Sequence, residues 1–80
     1  MDFLEEKVIS VIKENTNDDC EIKLDHRLED LGIDSLEKIM IINSLEDEFS
    51  IEIEDGEVKA LKTVSDIVIN LRERLKRASQ

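Results

Sequence analysis

The chain has no proline, tryptophan or tyrosine, one cysteine and two glycines in 80 residues. A lone cysteine, Cys20, cannot form a disulfide within the chain, and with a single histidine, His26, no Cys/His cluster exists to hold a structural metal. Cys20 also lacks the CxxC spacing or adjacent cations of a reactive thiol, so no role is assigned to it. The two glycines, Gly32 and Gly56, stand apart, which excludes a glycine-rich phosphate cradle. No apolar run nears the length of a membrane span, and no signal peptide or lipidation motif is found. A cytoplasmic protein without stable membrane insertion is expected. Basic residues are scarce where acidic ones are dense: from Glu29 to Glu57, eleven acidic residues accompany one basic residue, Lys38.

What is present is aliphatic and acidic. Hydrophobic residues make up 40% of the chain, almost all Leu, Ile and Val, with Phe3 and Phe49 as the aromatics, a composition suited to packed helices. A chain this short buries only about 60% of the surface it exposes when unfolded. One domain over residues 1–80 is expected, held by its core alone. The formal net charge is −10, although Arg72, Arg74, Lys76 and Arg77 face a single acidic residue, Glu73, in the last nine positions. Such a field disfavours nucleic acid and steers basic protein partners toward the chain. The runs Glu46-Asp47-Glu48 and Glu52, Glu54, Asp55, Glu57 lack the spacing of a calcium loop and read as a solvated acidic face, so no metal site is expected.

The apolar spacing predicts four helices and no stable sheet. Leu4, Val8, Val11 and Ile12 share a face of a helix from Phe3 to about Asn15, which should stop at the polar run Asn15 to Asp19. Ile22, Leu24 and Leu28 then alternate with polar residues. The only comparable segment is Ile51-Glu52-Ile53-Glu54, and a lone two-stranded pair is barely stable in water, so an extended loop from Thr16 to Gly32, pinned by its aliphatics, is expected instead. A short helical turn falls around Leu28 to Leu31. A second long helix runs from Ser35 to about Phe49, with Ile39, Ile41, Ile42, Leu45 and Phe49 in an arc of about 160° facing the core. Beyond it, Ile51 and Ile53 turn inward, and a short helix from Glu57 to about Leu61 is capped by Asp55. Thr63, with Asp66 three residues on, opens the last helix, whose stripe is Val64, Ile67, Val68, Leu71 and Leu75. Its basic residues complement the negative end of the helix dipole. No second strong apolar face calls for a dimer, so a monomer is expected.

Ser35 stands where the loop becomes the second long helix. Asp34 is a good N-cap with Glu37 in the capping-box position, which makes Ser35 the first helical residue, where free N–H groups and the helix dipole favour a phosphate. Nucleophilic catalysis would require a partnered base. No spacing ties Ser35 to His26, read as an exposed loop residue, and four short elements leave little room for a closed pocket, so no catalytic residue is assigned. On the second helix Leu36, Met40, Asn43 and Asp47 form an outward stripe about 60° wide. Two apolar side chains beside Ser35 within an acidic surround suit a docking patch.

Leu28-Glu29-Asp30-Leu31-Gly32-Ile33-Asp34-Ser35-Leu36, followed by Leu45-Glu46-Asp47-Glu48-Phe49-Ser50-Ile51-Glu52-Ile53, resembles the acyl carrier protein family over essentially the whole chain. The resemblance implies an all-α four-helix bundle with a short third helix and a long first loop. It implies that Ser35, flanked in the motif by Asp34 and Leu36, receives 4′-phosphopantetheine from coenzyme A through a separate transferase using Mg²⁺, and that the arm's thiol then carries an acyl group as a thioester. The protein is then no enzyme but a carrier, whose stripe of Leu36, Met40, Asn43 and Asp47 meets the basic rims of acyl-loading and acyl-transfer enzymes of fatty-acid, lipid or polyketide-type biosynthesis. The family commonly has a carboxylate where Met40 stands, a methionine at Asn43, and a proline at Glu54, and Lys38 lies in a stretch that is normally neutral or acidic. These departures imply a specialised carrier. An aminoacyl or peptidyl carrier, and a non-acylated acidic adaptor for basic proteins, are the alternative readings.

Overall fold

The computed structural model describes residues 2–16 and 21–78; Cys20 and the end of the polar run, Asn17 to Asp19, lie outside them. Helix α1 spans Phe3–Thr16, one residue beyond the expected end. The Asp2 carboxylate accepts the Glu5 N–H at its start, at 2.9 Å. A 3₁₀ turn over Glu29–Leu31 precedes α2, Ser35–Phe49, which is followed by the six-residue α3, Asp55–Ala60, and by α4, Val64–Ala78. This is the expected all-α architecture of three longer helices and a short third one, with a long first loop.

Helix α1 lies against both α2 and α4. The shared core contains Val8 and Ile12 from α1, Ile41, Ile42 and Leu45 from α2, and Val64, Ile67 and Leu71 from α4, all at most 1% exposed. Each such aliphatic side chain contributes roughly 1.5–3 kcal/mol on burial. The early loop is extended and anchored by buried Ile22 and Leu28 with half-buried Leu24, as its alternation predicts. Its backbone lies along the α3–α4 junction: Leu28 N–H donates to the Lys62 carbonyl at 2.9 Å, Val64 N–H to His26 at 3.1 Å, and Ser65 N–H to Leu24 at 2.8 Å. Only an isolated bridge, Arg27 to Thr63, has sheet geometry among the described residues.

Several expectations are corrected. Ile39 does not face the core but is 47% exposed. It sits at one edge of the α2 apolar arc, where α3 is too short to cover it. Asp55 does not cap α3: it is the first helical residue, the cap position belongs to Glu54, and no side chain bonds the cap. His26 is half-buried, and its Nδ1 accepts the Lys23 N–H at 3.0 Å. Glu46 is more than part of a solvated acidic run, because its carboxylate accepts the Ile53 N–H at 2.9 Å and draws the post-α2 segment inward. The basic end of α4 likewise does more than complement a dipole. Arg72 pairs with Asp2 and Glu5 of the α1 end, and Arg74 with Glu57 of α3.

Candidate functional site

The approach to Ser35 is built one backbone bond at a time. Leu28, held by Lys62, accepts the Ile33 N–H at 3.1 Å, closing the 3₁₀ turn on itself. Gly32 leaves that turn at φ 77°, in the left-handed region where a side chain is costly. Ile33 then drops into the core. Asp34 follows in extended conformation and caps α2: its carboxylate accepts the Glu37 N–H at 2.8 Å, while Asp34 N–H donates to the Glu37 carboxylate at 3.5 Å. Ser35 is therefore held from both sides, by a buried isoleucine two residues before and a reciprocal cap around it.

Ser35 itself is exposed, and its hydroxyl forms no hydrogen bond among the described residues. The N–H groups of the first helical turn around it lack intrahelical acceptors, and the dipole there favours an anion. His26 is not arranged as its base, being occupied as acceptor for Lys23. A cleft of about 410 Å³ opens beside the serine, with Lys38 of α2 and Lys62 of the α3–α4 junction in its wall. Partial burial and the like charge of Lys62 hold the Lys38 ammonium below the usual lysine pKa, opposed by the Asp66 carboxylate.

The outward stripe is present as expected. Leu36 is 67% and Met40 50% exposed, and Asn43 and Asp47 are exposed farther along α2. Ile39, read from the sequence as core, joins them. Together with Ile42, Ile53 and Val58 it lines a groove of about 320 Å³ between α2 and α3, with Asn43 at its edge. Lys62, which with Lys38 and Arg27 makes three cationic residues lining the serine cleft, was not legible as a site residue because it lies 27 positions after Ser35. Lys38, one helical turn from the serine, was the available signal.

The described geometry is a capped serine, exposed at a helix start and free of a base, on a small helical bundle. The family model for the phosphopantetheine attachment site matches residues 6–71, a span that contains the whole arrangement. The chain belongs to the acyl carrier protein family. An acyl carrier protein from Rickettsia bellii is 40% identical over 75 residues, covering 91% of this chain and 87% of that one, and one from Rickettsia typhi matches equally. The crystal structure of an acyl carrier protein from Thermotoga maritima superposes with a TM-score of 0.84 at 25% identity, covering 95% of each chain. The cofactor of this acyl carrier protein fold is 4′-phosphopantetheine, and its function is to carry acyl groups for the enzymes of fatty-acid and related biosynthesis. No helix among the described residues is long and apolar enough to cross a membrane.

Proposed function

We propose that Ser35 is the attachment point of the 4′-phosphopantetheine arm and that this chain, as a single cytoplasmic and monomeric domain, presents an arm-borne acyl group to enzymes without catalysing the reactions itself. The observation that carries the reading is the hydroxyl of Ser35, exposed and without a hydrogen bond among the described residues, on the first turn of a helix fixed by the Asp34–Glu37 capping box. Those residues fit the group. A phosphodiester on the hydroxyl stands at the positive end of the α2 dipole, and no hydrogen bond among the described residues engages the oxygen.

When bound, the arm supplies a thiol on which an acyl group is held as a thioester. The residues of this chain supply placement. Asp34 and Glu37 fix the direction of the helix start, Ile33 anchors the approach, and Leu36 lies beside the modified side chain for a transferase to read. A tether of this kind raises the local concentration of the cargo at each docked enzyme. Acidic side chains around Leu36, Met40, Asn43 and Asp47 steer enzymes with basic rims into fast, salt-sensitive encounters, and the apolar members supply contact once docked. Methionine and asparagine at 40 and 43, where the family commonly has a carboxylate and a methionine, define a narrower partner set and a specialised carrier.

Incubation with coenzyme A, Mg²⁺ and a broad-specificity phosphopantetheinyl transferase, followed by intact-mass measurement, tests the reading. One arm is expected on the wild-type chain and none on Ser35→Ala. An unchanged wild-type mass overturns it.

A further inference from the structure

We propose that Lys38 and Lys62 clamp the phosphodiester of the Ser35-linked arm, so that the arm starts along the cleft between α2 and the α3–α4 junction. The proposal rests on Ser35 being the attachment site. Lys38 is the one cation in the acidic span from Glu29 to Glu57. It lies three residues after Ser35 on the same helix, a spacing that brings Cβ atoms to within about 5–6 Å of each other. Lys62 reaches the same cleft from a different element, placed there by the backbone bond between its carbonyl and Leu28 N–H.

The two ammonium groups have no ion pair with a carboxylate among the described residues, and each carboxylate that faces the cleft has another partner. Glu29 pairs with Arg27 at 3.6 Å. Asp34 accepts from Glu37 N–H. Asp66 on α4, which does not line the cleft but whose charge acts on Lys38, accepts the Lys62 and Thr63 N–H groups through one oxygen, at 3.0 and 3.1 Å. The fold thus brings two lysines together beside the paired Arg27 in a chain that carries an excess of the opposite sign, with no ion pair to either lysine among the described residues and only the charge of Asp66 acting on Lys38. Partial desolvation and the repulsion from Lys62 already lower the proton affinity of Lys38, against the pull of Asp66. An anion in the cleft removes that penalty. The arm's phosphate is joined directly to the Ser35 oxygen and remains charged, so it is the anion within reach of both lysines, whereas a cargo at the far thiol is not.

The test compares the unmodified and modified wild-type chains, with modification verified by mass, and follows each lysine ammonium through a pH titration by NMR of the side-chain carbon and nitrogen. An opposite charge at hydrogen-bonding range raises a lysine pKa, and a rise of roughly one unit is expected at both Lys38 and Lys62 on modification. Lys59, exposed and lining the other groove, serves as the internal reference and should not move. If either Lys38 or Lys62 titrates at the same pH in the two forms, the clamp is wrong while the attachment at Ser35 stands. If the mass never increases, the attachment reading itself falls, and the clamp with it.

Discussion

At the scale of single residues the site depends on backbone conformations that few side chains tolerate. Gly32 carries the chain out of the 3₁₀ turn at φ 77°, and a Cβ built there meets nothing within 4 Å. The cost of an alanine is therefore conformational and not steric. Gly32→Ala is expected to destabilise the fold by about 1 kcal/mol, measured by urea denaturation, with the mass increment on Ser35 retained. A stability equal to wild type would show that the turn relaxes without the left-handed residue. Ser50 ends α2 in the same region, at φ 55°, with its N–H bonded to Glu46. Position 39 shows how sensitive residue-level reading is. Ile39 and Ile42 are both isoleucines on the apolar side of α2, yet one is 47% and the other 1% exposed. The difference comes from what lies opposite each of them.

At the scale of elements, the helix starts were the most legible feature, because caps are local. Asp34-Ser35-Leu36-Glu37 and Thr63-Val64-Ser65-Asp66 each place donor and acceptor within one turn, and both form reciprocal bonds. The Asp66 carboxylate accepts two backbone N–H groups, and these bonds hold its pKa below the ordinary value. A depressed carboxylate stabilises the fold fully above its unfolded pKa and loses that contribution as pH falls through the folded one. The melting temperature advantage of wild type over Asp66→Asn should be largest above about pH 5 and shrink as the pH drops below about 4. An advantage that is constant or grows on acidification would contradict this role. Less legible were contacts made at a distance. The Arg74–Glu57 pair that joins α4 to α3 and the Leu28–Lys62 bond that positions the serine loop connect residues 17 and 34 apart in sequence, respectively, and no periodicity announces them. The start of α3 was also obscure, since Asp55 suits either a cap or a first turn and only packing separates the two.

For the whole molecule, charge is the dominant global term. Twenty-one acidic residues against eleven basic ones leave a net repulsion that the few surface ion pairs do not offset. Raising ionic strength from about 0.01 M to about 0.15 M shortens the screening length from roughly 30 Å to roughly 8 Å. That change weakens the long-range repulsion more than the contact pairs, so the melting temperature should rise, as followed by circular dichroism. A flat or falling melting temperature would mean that the pairs at Arg72 and Arg74 outweigh the repulsion. The same excess charge keeps copies of the chain apart and, on the proposed reading, steers enzymes with basic rims toward α2.

The fold, the capped helix start and the proposed docking stripe converge on one oxygen atom, that of Ser35. The chain also contains serines at positions 10, 44, 50, 65 and 79. Peptide mapping of the chain modified with coenzyme A and transferase, with fragmentation to single-residue resolution, tests that convergence most directly. The arm should be found on Ser35 and on no other serine. An arm on any other residue, or fully modified Ser35→Ala protein, would contradict the account.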